Sequence, residues 1–380
     1  VSVSGFADIH AAHPFARVAA RIQAATPAEV ERALSAEQVD LDGLAALLSP
    51  AAGDRLEELA RRARALTLRR FGRVVSLYAP LYLSNVCRNA CVYCGFRADR
   101  PADTRTLTPN EARREGEHLA GQGFRHLLLV AGEAPELVSL DYLGQVAERL
   151  RPLFASLSVE IQPLEEAGYR ELVARGVDGL VVYQETYDPE QYAALHPRGP
   201  KRDMGYRLET PGRAGRAGFR RVGLGALLGL ADPRVEAWFL GLHARHLMRH
   251  CWRSHMSVSF PRLQPSAGRF EPPRPASDRE LVQLVCALRL ALPDAGLVLS
   301  TREPPWLRDR LAPLGITMMS AGSSTRPGGY TLNPEGSGGV GDATCQFEVA
   351  DHRPPAEVAR ALRGLGYEVA WKDWDQGFHG

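Results

Sequence analysis

Tyr82-Leu-Ser-Asn-Val-Cys87-Arg-Asn-Ala-Cys91-Val-Tyr93-Cys94-Gly95-Phe96 places three of the chain's six cysteines at CxxxCxxC spacing, with an aromatic residue before the last. A β-rich run leads into it, so the three thiols are expected on a loop at a strand end. Thiolates this close in sequence can each take one metal of a cubane. A four-iron cluster needs four ligands, so three cysteines leave one iron open to a substrate or cofactor. A structural zinc site would want a fourth Cys or His at regular spacing, whereas Cys251, Cys286 and Cys345 stand alone in apolar or loop contexts. Disulfides fit less well still, because a chain of 380 residues buries an ample core without staples and shows no secretory segment.

Outward from this loop, the chain alternates short β-rich runs with helical stretches. Eight runs stand out: Val74 to Tyr82, His126 to Ala131, Ser156 to Gln162, Gly179 to Glu185, Arg221 to Gly229, His255 to Arg262, Gly296 to Arg302 and Ile316 to Ala321. Helical segments between them fit right-handed parallel crossovers. Thr108-Pro109-Asn110-Glu111 reads as a capping box at one crossover, and Gly176 ends another after Ala174 and Arg175. Eight such units predict a closed (β/α)8 TIM-type barrel rather than an open sheet, spanning 71–322.

Residues 1–70 read as a helical extension, with capping boxes at Thr26-Pro27-Ala28-Glu29 and Ser35-Ala36-Glu37-Gln38. His10 and His13 are read as solvated rather than as a metal pair. Arg61, Arg62, Arg64, Arg69 and Arg70 are expected on a solvated helix face. The glycine- and proline-rich Ser323 to Asp342 opens an irregular C-terminal extension, 323–380, expected to cover one end of the barrel. A helix around Pro355 to Leu365 and a strand-like Tyr367 to Trp371 follow it.

Composition excludes some partners. The 46 basic residues are nearly matched by 44 acidic ones and are dispersed, so a net charge of +2 points to neither a nucleic-acid nor a membrane surface. No apolar run approaches the length of a membrane span. Only Lys201 and Lys372 are lysines, a bias to which no mechanism is attached. Free cysteines predict a reducing cytoplasmic setting.

The cysteine spacing, with Tyr93 just before the third thiol, resembles that of the radical S-adenosylmethionine (SAM) enzymes. The likeness narrows along nearly the whole chain. Leu81-Tyr-Leu-Ser-Asn, Val182-Tyr-Gln-Glu-Thr-Tyr187, Tyr206-Arg-Leu-Glu-Thr-Pro211, Ser257-Val-Ser-Phe-Pro-Arg262, Leu299-Ser-Thr-Arg-Glu303 and Trp371-Lys-Asp-Trp-Asp375 resemble the 2-iminoacetate synthases, the tyrosine lyases of thiamine biosynthesis.

In barrels of this kind the active site lies at the C-terminal strand ends, and the candidate residues are taken from there. The resemblance implies a [4Fe-4S] cluster on Cys87, Cys91 and Cys94, with SAM at the open iron. Ala131-Gly132-Glu133 resembles the family's Gly-Gly-Glu turn that meets the methionine amino group, with alanine in place of the first glycine. Glu160 and Gln162 at the end of the third run, with Gln184 and Glu185 at the end of the fourth, are placed to hold ribose hydroxyls and the amino group. Their bland alternative is a buried carboxylate paired with an arginine such as Arg207. By resemblance Arg207 reaches the methionine carboxylate. Tyr93 stacks near adenine or is a packed loop aromatic. Gly223, Gly225 and Gly229 either admit the adenine or serve tight barrel packing. For an amino-acid substrate, Arg302 and Ser320 are expected to grip the carboxylate, with Tyr82 meeting the substrate from the first strand. The alternatives are an Arg302 ion pair with Glu303 or Glu185, and a barrel-core role for Tyr82.

The implied reaction splits the Cα–Cβ bond of L-tyrosine after a 5′-deoxyadenosyl radical abstracts a hydrogen. It gives 2-iminoacetate and 4-methylphenol alongside 5′-deoxyadenosine and methionine. Hand-over of the imine to the thiazole synthase of thiamine biosynthesis and electrons from a flavodoxin or ferredoxin are implied with it. The rivals are a tryptophan-cleaving relative, the tyrosine lyase of hydrogenase maturation, and a non-enzymatic iron–sulfur or zinc module. The hydrogenase-maturation lyase carries a second cysteine motif where this tail has only Cys345.

Overall fold

The computed structural model describes residues 5–99, 103–266, 270–332 and 344–371. Eight parallel strands close on themselves: β1 (Val74–Ser84), β2 (His126–Ala131), β3 (Ser156–Glu160), β4 (Gly179–Glu185), β5 (Arg221–Ala226), β6 (His255–Ser259), β7 (Gly296–Leu299) and β8 (Met318–Ser320). Each pairs with the next, and β8 returns to β1 through Ser76 opposite Met318 and Tyr78 opposite Ser320. This is the expected (β/α)8 barrel. A short β9 (Glu368–Ala370) adds in parallel to the start of β1, opposite Val74 to Ser76. The eleven residues of β1 allow this, since its partnership with β2 begins only at Ala79.

Five of the eight strands stop short of the runs seen in the sequence, and all five stop early at the C-terminal end. Gln162 lies beyond β3, Gly229 beyond β5 and Arg302 beyond β7. Gly229 turns the chain at φ +118°, a conformation glycine adopts without steric cost.

Local helix signals fare unevenly. The boxes at Thr26 and Thr108 form, each with a proline at the first helical turn, and Gly176 follows the helix Glu166–Ala174 at φ +94°. The box expected at Ser35 does not form. Ser35 is the last residue of the helix Pro27–Ser35, and the next helix, Leu41–Leu48, is capped by Asp40 through the Gly43 N–H. His10 is not solvated either. It is buried, with Nε2 at 2.8 Å from the Tyr187 carbonyl and its ring beside Phe239. Arg61, Arg64, Arg69 and Arg70 are exposed as expected, while Arg62 is half-buried and donates to the Ala36 carbonyl.

The N-terminal helices cover two of the barrel's outer helices, Pro233–His250 and Asp278–Ala291. The Gln283 amide donates to the carbonyls of Leu47 and Ser49, the Trp238 indole donates to that of Leu41, and Phe6 stacks on His243 at 3.6 Å. Cover on this outer side explains why Leu281, Leu284, Val285, Cys286 and Leu288 are all buried on one helix. Polar groups there must bond internally. Among the described residues no helix is long and apolar enough to cross a membrane. Residues 333–343 and the polar Lys372-Asp-Trp-Asp375 lie outside the described residues.

Candidate active site

The cysteine loop leaves β1 and is pinned at once. The Asn85 amide donates to the Asp103 carbonyl at 2.9 Å and accepts from the Arg105 N–H at 2.6 Å. Within the loop, the Asn89 and Phe96 backbone N–H groups point at the sulfurs of Cys87 and Cys94, each at 3.4 Å. Burial pushes the Cys91 thiol up to about 12 and the Cys94 thiol up to about 11, and also raises Cys87. Buried thiols of this kind ionise when a bound cation supplies the missing positive charge.

Among the described residues no three His, Cys, Asp or Glu side chains converge on one metal-ion position. A cluster does not need them to, because each cysteine takes a different iron. The three free thiols, with N–H donors aimed at two of their sulfurs, therefore fit a cubane better than a single zinc ion.

In front of the loop lies a cavity of about 190 Å³ inside the barrel. Cys94, Tyr93, Tyr82, Glu160, Glu185, Arg302 and Ser320 line it, along with Lys201, Gln346 and Phe347, which the sequence reading did not single out. Register explains part of this gathering. Tyr82 is opposite Val130, and Val130 opposite Glu160, so all three stand on one tier.

Gly132, Glu133, Gln162 and Arg207 do not line the cavity. Gly132 sits behind the cysteine loop, where a Cβ would lie 2.2 Å from the Val86 carbonyl oxygen. Glu133 accepts from the Asn89 amide at 2.7 Å and from the Arg207 guanidinium at 2.9 Å, and Arg207 also donates to the Tyr183 carbonyl at 2.7 Å. Two charges this buried have to pair. Gln162, expected beside Glu160 as a cofactor contact, makes a bond of its own. With β3 ending at Glu160 the two-residue alternation stops, and the Gln162 amide donates to the Val138 carbonyl at 2.7 Å.

Tyr93 is held by His196. The His196 Nδ1 faces the Tyr192 carbonyl at 2.8 Å and so carries the proton, which leaves Nε2 to accept from the Tyr93 hydroxyl at 2.8 Å. Burial lowers the His196 pKa to about 3, consistent with a neutral ring.

Glu185 has φ +72°, rare for any residue but glycine, and its carboxylate accepts from Lys201 at 2.7 Å. The Lys201 backbone N–H in turn donates to Asn89 in the cysteine loop at 2.9 Å. The Glu160 carboxyl makes no hydrogen bond among the described residues. Burial, aided by the Glu185 charge and opposed by Arg302, raises its pKa to about 7.

Neither carboxylate weighed as a partner for Arg302 takes that place. Glu303 binds Arg262 and Glu185 binds Lys201. The Arg302 guanidinium lies 3.3 Å from the centroid of Phe347 instead, with its N–H groups unbonded among the described residues. The nearby Ser320 hydroxyl accepts from the Thr301 N–H at 3.0 Å, and the Tyr82 hydroxyl donates to the Gln346 amide oxygen at 2.6 Å. At strand five, Gly225 has the packing role, since a Cβ there would meet the Tyr183 ring at 2.3 Å.

A parallel barrel with a three-cysteine loop after its first strand and a cavity inside the barrel before it is the architecture of radical SAM enzymes. The Radical SAM superfamily model matches residues 81–236, and the Biotin and Thiamin Synthesis associated domain matches 259–368. The chain belongs to the 2-iminoacetate synthase family: it is 49% identical to the 2-iminoacetate synthase of Escherichia coli over 93% of either chain. It is also 29% identical to the 3-methylornithine synthase of Methanosarcina acetivorans over 43% of this chain and 48% of that protein. Among solved structures, the FeFe-hydrogenase maturase HydG from Carboxydothermus hydrogenoformans superposes with a TM-score of 0.82 at 33% identity, covering 91% of this chain and 79% of that one.

Proposed function

We propose that this chain cleaves the Cα–Cβ bond of L-tyrosine to give 2-iminoacetate and 4-methylphenol, the former destined for the thiazole of thiamine. One hydrogen of tyrosine leaves in 5′-deoxyadenosine, so an electron and a proton supplied with the reductant complete 4-methylphenol, beyond the electron that cleaves SAM. Arg302 is the observation that carries this reading. It is a guanidinium facing the cavity with its hydrogen-bonding edge uncommitted, while the carboxylates near it are already paired or, in Glu160, inclined to hold a proton. A half-buried arginine facing a cavity with its edge free is suited to a ligand carboxylate.

Cys87, Cys91 and Cys94 would hold the [4Fe-4S] cluster. Tyr93, Gly132, Glu133, Glu160, Glu185 and Arg207 form the SAM side of the site, Glu133 and Arg207 from behind the loop. Together the reduced cluster and SAM supply a 5′-deoxyadenosyl radical. The protein's part is to bind and to shield. Arg302 and Ser320 hold the substrate carboxylate, Tyr82 meets its other groups, and the barrel walls exclude water from reactive species. The helical 1–70 supports the barrel of 71–322, and the described part of 323–380 covers its cysteine-loop end. Thiazole synthase as acceptor of the labile imine, a flavodoxin or ferredoxin as reductant, and a reducing cytoplasm as setting complete the reading.

The test is anaerobic incubation of the iron-reconstituted, dithionite-reduced protein with SAM and L-tyrosine. Formation of 5′-deoxyadenosine, 4-methylphenol and glyoxylate, the hydrolysis product of the imine, is expected. Deoxyadenosine without 4-methylphenol would overturn the substrate, with tryptophan tried next. No product from a spectroscopically confirmed reduced cluster would overturn the enzyme reading.

A further inference from the structure

Residues 344–351 run as a strap beside the cysteine loop, with Gln346 and Phe347 lining the cavity, and the strap is fastened to the barrel by its backbone. The Gly95 N–H donates to the Gln346 carbonyl at 3.1 Å, and the Gln346 N–H donates to the Thr325 carbonyl at 3.0 Å. The Thr325 hydroxyl donates to the Phe347 carbonyl at 2.8 Å. Further on, the Ala350 and Asp351 N–H groups donate to the Thr301 carbonyl at 2.9 and 3.1 Å. Phe347 therefore lies between fixed points, one of which is the residue next to Arg302.

Its ring centroid is 3.3 Å from the Arg302 guanidinium carbon, so one face of that planar cation is covered by the aromatic face. An arginine has a long, rotamer-rich side chain, and a two-pronged grip on a carboxylate needs its plane fixed beforehand. With one face taken by Phe347, the guanidinium can meet a carboxylate only through its N–H edge.

We propose that Phe347 is a positioning residue that orients Arg302 to receive the α-carboxylate of the amino-acid substrate. The inference rests on the reading of Arg302 as the carboxylate anchor, and the test separates the two.

Phe347→Leu, Phe347→Tyr and Arg302→Ala would be compared with the parent protein, each iron-reconstituted and checked for iron content and SAM binding. Phe347→Leu is expected to raise KM for L-tyrosine several-fold, up to about thirtyfold, the span of cation–π contributions at partly desolvated sites. Its kcat at saturating tyrosine stays within about twofold, because a positioned substrate reacts as before. Phe347→Tyr, which keeps the ring, returns KM to the parent value. Inhibition by 3-(4-hydroxyphenyl)propionate, which has the carboxylate, weakens in Phe347→Leu, while inhibition by tyramine, which lacks it, is unchanged. If Phe347→Leu weakens both inhibitors alike, the ring is packing and the proposal fails. If Arg302→Ala raises KM but Phe347→Leu does not, the proposal fails while the carboxylate anchor stands. If Arg302→Ala leaves KM unchanged, the anchor and the proposal fall together.

Discussion

Glu160 faces the cavity with no carboxyl hydrogen bond among the described residues, and burial raises its pKa from 4.5 to about 7. Below pH 4.5 the carboxyl is protonated whether the chain is folded or not. Between 4.5 and 7 the unfolded chain gives up the proton while the folded one keeps it, so stability falls as pH rises through that window. The loss is on the order of 2–3 kcal/mol by the top of it. Glu160→Gln removes the titration. Its thermal midpoint, measured without substrate or SAM, should therefore gain on the parent as pH goes from 5 to 8, and a gap that did not change with pH would sink the assignment. Lys201 poses the residue-scale question differently. One of two lysines among 46 cations, it lines the cavity alongside arginines and bonds Glu185. That rarity was the signal available in the sequence, but composition alone does not say which face a residue takes.

At the scale of elements, the cysteine loop and the end of β2 are pressed together. The Gly132 N–H donates to the Ser84 carbonyl at 2.9 Å, and a Cβ at 132 would meet backbone, the Val86 carbonyl oxygen, at 2.2 Å. Nothing flexible can give way there, so Gly132→Ala should displace the loop. It is expected to cost about 1–3 kcal/mol and to lower the iron retained per chain after anaerobic reconstitution. Iron content and thermal midpoint equal to the parent's would refute the close approach. Alanine already stands at 131, whereas 132 is the glycine of the family-like turn. Elements of this kind were legible in the sequence because their signals are local: β-rich runs, the boxes at Thr26 and Thr108, the turn glycine Gly176. Strand ends were misjudged where polar residues left the sheet to make their own bonds, as Gln162 does with Val138. Cover of one barrel end by the C-terminal extension was expected, but the strap's own contacts were not legible, because they join distant positions. Tyr82 and Gln346 are 264 residues apart.

On the scale of the whole molecule, that strap is anchored by a buried cluster of charge at its far end. Arg308, from the helix Pro305–Gly315, binds the Asp351 carboxylate and the Ser320 carbonyl, and the side chains of Arg308 and Asp351 are wholly shielded from solvent. Arg353 donates to Asp351 as well, and to Asp309 at 3.0 Å. Burial pushes the Asp351 carboxyl up, but hydrogen bonds from Arg353 and the charge of Arg308 outweigh it and hold it below its usual range. Removing one member strands the other. Asp351→Leu leaves a guanidinium buried without its counter-charge, and Arg308→Met leaves a carboxylate with only Arg353, so each alone is expected to cost about 3–5 kcal/mol. The double variant removes both charges at once and should cost clearly less than the two singles added together. Asp351 does not line the cavity, yet its backbone N–H is one of the two that tie the strap to Thr301. Loosening that tie frees Phe347 from Arg302, so both singles should also raise KM for tyrosine in the same direction as Phe347→Leu. A double-mutant cycle by thermal unfolding, with KM measured on the same four proteins, checks both halves. Additive losses with unchanged KM would mean that the buried charges hold the helix to the barrel but not the strap to the site.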